Sequence, residues 1–291
     1  MTHNKSTKQT YYTTMKRIGI AFIAIVISTL SIAQSEEFSL FVGGSYYIGD
    51  LNPNKHFDQN TNPALGFMYK KNSRNFRYAY RLQFMYGKIE AYDIQNKDPW
   101  MQNRDLNFST PILELAAILE VNFMKYRPGQ LKKLNETPYL FFGIAGFNFR
   151  PKGLYNSKWY DLQALGTEGQ NTSVNTAGYY KLNQLAIPVG FGYKKNLNKL
   201  WTFSIEYGAR ILFTDYLDDV SKKYVDPTVL ANEAGVLSPI LADRSYKQVG
   251  DRNIGHNRGN SVLRDWYFFG GISFAYTFKE RKECDTFDGK R

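Results

Sequence analysis

The sequence predicts an all-β fold, an eight-stranded antiparallel transmembrane β-barrel preceded by a signal peptide. Three observations lead there. An apolar leader lies near the N-terminus, apolar residues then alternate with small or polar ones in segments of about ten residues, and the connections alternate between long and short.

Met15-Lys16-Arg17 opens a short basic stretch, residues 18–30 are almost wholly apolar, and Ser31-Ile32-Ala33 sets small residues ahead of Gln34. This is the three-part pattern of a secretory leader. The apolar run falls short of the ~20 residues that a membrane-spanning helix needs. Residues 1–33 are expected to be the signal peptide, with Met15 the expected true start. Residues 34–279 are expected to form the barrel, and 280–291 a periplasmic tail. No cysteine stands directly after the apolar run, so lipoprotein processing is not expected.

Composition supports the class. Of 291 residues 43% are hydrophobic and 16% aromatic, with 22 Tyr, 21 Phe and one Cys. A disulfide scaffold needs more cysteine than that, whereas aromatic girdles at a membrane use this much Tyr and Phe. The formal net charge is +11, and the leader holds four basic residues and no acid, so the mature chain is near +7. In an exported protein such a balance points away from nucleic acid and toward the placement of the charges.

Eight segments alternate with a period of two: 39–48, 64–70, 76–88, 111–123, 139–149, 182–193, 201–213 and 265–278. In the third, Tyr78, Tyr80, Leu82, Phe84 and Tyr86 share one face, against Arg77, Ala79, Arg81, Gln83 and Gly87. In the seventh, Trp201, Phe203, Ile205 and Tyr207 oppose Thr202, Ser204, Glu206, Gly208 and Arg210. The second face is rich in Gly, Ala and Ser, which suits the crowded interior of a narrow barrel. Eight is an even number, as single-chain bacterial barrels have. Connections one, three, five and seven are long and the others short, so both termini are expected in the periplasm, with the long loops outside.

The inward charges Arg81, Glu114, Glu120, Glu206 and Arg210 are expected to pair as a structural network, because an isolated buried charge is very costly. The short turns are basic: Lys70, Lys71 and Arg74, then Lys125, Arg127, Lys132 and Lys133, then Lys194, Lys195 and Lys199, with Glu136 the one acid. This periplasmic rim serves either solubility and contact with lipid headgroups or the docking of an acidic partner.

Little in the chain suggests catalysis. The mature chain has two histidines, His56 and His256, both in outer loops, and Ser261 near His256 carries no nucleophile motif. There is no CxxC, HExxH, phosphate loop or EF-hand. Asp215, Asp218, Asp219 and Asp226 lack the spacing of a calcium loop. No enzyme activity, cofactor or metal is expected.

Two stretches carry a family resemblance. One is Gly43-Gly44-Ser45-Tyr46-Tyr47-Ile48-Gly49-Asp50-Leu51-Asn52. The other runs from Phe213-Thr214-Asp215-Tyr216-Leu217-Asp218-Asp219-Val220-Ser221 to Asp226-Pro227. With the leader and the eight segments, they resemble the PorG-like outer-membrane barrels of the Bacteroidota type IX secretion system, which also serves gliding motility in some members. The resemblance implies a non-enzymatic barrel that meets a periplasmic ring lipoprotein (PorK-like) and its partner (PorN-like) beneath the outer membrane. It supplies no catalytic residue, and it is not extended to the insert 230–264, which reads as variable decoration. The alternative is a surface adhesion or ligand-binding barrel working through its long outer loops. Lys125, Arg127, Lys132, Lys133, Lys194 and Lys195 are the expected partner contacts. Cys284, the only cysteine, lies in the periplasmic tail. It is either an incidental thiol or one half of an intermolecular disulfide with a periplasmic partner.

Overall fold

Eight long strands close into one antiparallel barrel. The computed structural model describes residues 33–249 and 253–280. The expected leader lies outside these residues apart from Ala33, and so does Cys284. The barrel strands are β1 (Ala33–Ile48), β2 (Asn62–Ser73), β3 (Tyr78–Tyr92), β4 (Asn107–Asn122), β5 (Glu136–Phe149), β8 (Asn183–Asn196), β9 (Trp201–Leu212) and β10 (Trp266–Glu280). A short hairpin, β6 (Lys152–Tyr155) and β7 (Lys158–Asp161), lies in the loop after β5. Each barrel strand pairs with its neighbours in chain order, β3 pairs with β4, and β1 pairs with β10 to close the ring. Closure leaves the barrel no free edge.

Each segment expected from the sequence overlaps one barrel strand. Several strands run further than the apolar alternation; β8 does so through Lys194 and Asn196, whose polar ends pair inside the barrel. With 12 to 16 residues each, the strands exceed the ~10 that cross a bilayer and project past an apolar band.

Burial follows the period. In β3, Leu82 and Phe84 are exposed and Arg81, Gln83 and Met85 are buried. The outer face is apolar over Phe38, Leu40, Val42, Leu115, Ile144 and Phe274, and the inner face holds most of the charge. This inversion of the soluble arrangement is what a barrel in lipid requires. At the short-turn end Tyr78, Tyr193, Trp201 and Tyr276 are exposed, with Trp201 and Tyr276 in edge contact at 5.2 Å.

Side chains fill the interior. Phe41, Tyr47, Met68, Met85, Tyr139, Phe141 and Phe269 pack there in one cluster. Gly43 faces Gly271 across β1 and β10, and a Cβ on either would lie within 2.8 Å of the Phe41 ring. The ring takes the space that the two glycines leave.

Candidate functional site

The lumen contains two ion-pair clusters. In the first, Glu120 is held by three cations: Lys194 at 2.7 Å, Lys70 at 3.0 Å and Arg81 at 3.1 Å. Arg81 also reaches Glu206 at 2.7 Å, and Tyr139 donates to Glu206 at 2.9 Å. In the second, Arg210 grips Glu114 with two nitrogens at 2.9 and 3.1 Å, while Gln83 and Tyr267 donate to the same carboxylate. The five lumen charges expected from the sequence are thus distributed over these two clusters. Lys70 and Lys194 correct the sequence reading. Expected on the basic rim, they are buried and point inward, since β2 and β8 continue past them with the inward parity of Met68 and Ala186. Lys194 is therefore no partner contact.

At the short-turn end, the connection after β4 folds Tyr126 into the barrel mouth. Its hydroxyl meets Asn196 at 2.5 Å and Thr202 at 2.7 Å, and the Lys194 ammonium lies 4.9 Å from its ring. Around this plug, Lys125, Lys132, Lys133 and Lys199 are exposed. Arg127 is half-buried, with its guanidinium 5.6 Å from the Phe76 ring. Lys195 points outward and pairs with Glu136 at 2.8 Å.

The long-loop end is closed by a folded cap in which the two signature stretches meet. Tyr47 donates to Asp218 at 2.5 Å and lies 3.0 Å from Asp265, whose other oxygen accepts the Leu217 amide at 2.9 Å. Asp50 accepts the Asn260 amide. Arg104 forms a bidentate pair with Asp93 at 2.6 and 2.8 Å and donates to the Asp50 and Arg258 carbonyls. Arg258, fully buried, reaches Glu168 at 3.1 Å and the Ala242 carbonyl at 2.9 Å. Glu168 in turn accepts the Ser221 and Lys222 amides. Asp219 accepts from Thr167 and Tyr180. Arg258 comes from the insert 230–264, so that segment is part of the cap's structure.

Carboxylates outnumber cations here, and burial dominates their ionisation. Burial pushes Asp218 and Asp265 well above the usual carboxylate range. Burial beside Asp50 and Glu168 raises Asp215 to about 7. Burial raises Asp219 to about 6 against the opposing pull of Arg258. Of Asp215, Asp218, Asp219 and Asp226, three diverge: Asp218 turns to Tyr47, Asp219 to Arg258, and Asp226 caps a short helix through the Thr228 amide. Among the described residues no group of three His, Cys, Asp or Glu side chains could hold a metal.

The histidines are apart. His56 lies against the outer wall, with Nδ1 2.7 Å from the Tyr46 hydroxyl, which also bonds the Tyr207 hydroxyl. His256 and Ser261 are exposed in the cap.

The family model for a domain of unknown function, DUF6089, matches residues 16–231. The chain belongs to that family. The match takes in the barrel from β1 to β9 and both signature stretches. No curated protein matches the chain. Among solved structures, Ail, the attachment invasion locus protein of Yersinia pestis in complex with sucrose octasulfate, is 9% identical, with a TM-score of 0.39. That comparison covers 84% of this chain and 99% of Ail. The outer membrane protein OprG of Pseudomonas aeruginosa is 11% identical, with a TM-score of 0.39, over 85% of this chain and 98% of OprG. A major outer membrane protein of Thermus thermophilus is 13% identical, again at 0.39, over 84% of this chain and all of that one.

Proposed function

We propose that the protein is a non-enzymatic, integral outer-membrane barrel that docks a periplasmic partner through its short-turn end. The observation that carries this reading is the exposed basic turn after β4, with Lys125, Lys132 and Lys133 set around the Tyr126 plug. A barrel filled by side chains and closed at both ends passes no polypeptide, so its role lies in its surfaces. A basic rim attracts an acidic protein and steers its approach.

The resemblance of the two signature stretches names the partner. On this reading the barrel anchors the periplasmic lipoprotein ring (PorK-like) and its partner (PorN-like) of a type IX secretion system beneath the outer membrane. Purification from detergent-solubilised outer membranes tests it. The ring proteins should co-purify with the wild-type chain and be lost from a Lys125→Glu, Lys132→Glu, Lys133→Glu variant that still folds. Recovery of the ring by that variant would contradict docking through this turn.

A second reading, adhesion through the outer loops, draws on the apolar side chains that the cap exposes, among them Val236, Tyr246, Val249 and Val262. Replacing these four by serine should abolish cell attachment on that reading and leave ring co-purification intact on the first.

A further inference from the structure

Two cavities open side by side on the outer wall of the barrel, at the long-loop end of β3, β4, β5 and β8. The larger, of about 720 Å³, is floored by Gly146 and walled by Phe84, Leu113, Leu115 and Leu185. Gly146 faces outward, and a Cβ built on it meets nothing within 4 Å. The smaller, of about 290 Å³, is lined by Tyr86, Pro111 and Trp159 among others. Phe84 is the register partner of Leu115, and Tyr86 of Leu113, so the two hollows abut.

Polarity changes along both in the same direction. Toward mid-wall the lining is apolar. Toward the long-loop end the larger hollow is bounded by Asn148, Asn183 and Lys181, and the smaller by Lys88 and Lys152. Asn148 and Asn183 bond each other at 2.7 Å. Lys88 lies 2.7 Å from Glu90 and Lys152 lies 3.6 Å from Asp161, yet both lysine side chains stay more than 40% exposed. Lys181 is exposed as well. Apolar hollows under a row of ammonium groups match the polarity of an anionic lipid entering from the outer leaflet. One chain under one phosphate would need one hollow and one lysine. Two abutting hollows under three lysines fit several chains and more than one phosphate.

We infer that this face binds a phosphorylated, multiply acylated glycolipid of the outer leaflet, the lipid moiety of lipopolysaccharide. Its chains lie over Gly146 and against Tyr86, and its phosphates are held by Lys88, Lys152 and Lys181. The inference rests on the outer-membrane reading above.

Native mass spectrometry of the full chain, folded in detergent, tests it by titration with diphosphorylated lipid A, dephosphorylated lipid A and phosphatidylethanolamine. Diphosphorylated lipid A should bind about tenfold more tightly than either of the others. The variant Lys88→Ala, Lys152→Ala, Lys181→Ala should lose about tenfold of that affinity. Gly146→Trp projects into open space, so it should keep the fold, checked by heat-modifiable migration, while displacing the lipid. Lys247→Ala, exposed in the cap and lining neither hollow, should bind as wild type does. Equal binding of the three lipids, or undiminished lipid A binding by both site variants, overturns the inference. A wild-type chain that fails to fractionate with the outer membrane would instead overturn the membrane reading beneath it.

Discussion

Tyr47, one residue from the end of the first barrel strand, donates its hydroxyl to Asp218 at 2.5 Å, across 171 residues of chain. The same oxygen lies 3.0 Å from Asp265. A hydroxyl carries one proton and donates to one of the two carboxyls at a time, and burial pushes both above the usual carboxylate range. Through this contact the strand fixes the position of the cap above it.

Tyr47→Phe removes that proton and leaves Asp218 Oδ2 without its donor, the Val220 amide still serving the other oxygen. Cap stability should fall by about 1–3 kcal/mol, the cost of a buried polar group left unsatisfied. Protease added to folded protein should cut residues 214–264 faster, while the barrel keeps its heat-modifiable migration. Unchanged cutting would show that Tyr47 does not hold the cap.

The cap should loosen as pH rises. A carboxyl whose pKa rises on folding binds its proton more tightly in the native state than in the unfolded one. Its contribution is full below the unfolded value near 4 and is lost as pH climbs through the folded value. For Asp219 the window runs from about 4 to about 6, and for Asp215 from about 4 to about 7. Amide exchange across residues 214–221 should be slower at pH 5 than at pH 8 after correction for intrinsic rates. Asp215→Asn should flatten the difference.

Glu120 carries the lower lumen cluster, with three cations on one carboxylate. Glu120→Ala takes the ion-pair partner from Lys194 and the near partner from Lys70, while Arg81 keeps Glu206, and it should cost about 3–5 kcal/mol; Arg81→Ala should be of similar size. Urea midpoints in detergent measure both. The exposed rim residue Lys132 should tolerate alanine with no shift in midpoint.

Leu82 faces outward and Gln83 donates to Glu114 in the lumen. Leu82→Arg should lower membrane insertion by about 2–4 kcal/mol if it lies near the bilayer midplane. Gln83→Arg should be milder, because the lumen offers carboxylates. Equal losses in refolding yield into vesicles would contradict the register.

The strands and their two faces were legible because each β residue reports its face through parity alone. Arg81, Glu114, Glu120, Glu206 and Arg210 could be placed in the lumen for that reason. Lys70 and Lys194 were misplaced on the rim because the apolar alternation ends beside them. Their parity, shared with Met68 and Ala186, was the signal that would have moved them inward. The cap was not legible. Arg258 meets Glu168 across 90 residues, and nothing periodic in a loop announces such a pair. Tyr126 likewise sits in a basic turn, and only the folded turn shows that it plugs the mouth.

Orientation is the claim on which docking, cap and lipid face all rest. In a Cys284→Ser background, Val262→Cys in the cap and Lys132→Cys in the basic turn can be labelled on intact cells with a membrane-impermeant maleimide. The account predicts labelling of Val262→Cys on intact cells, and of Lys132→Cys only after the outer membrane is permeabilised. Labelling of Lys132→Cys on intact cells, with Val262→Cys protected, would contradict it.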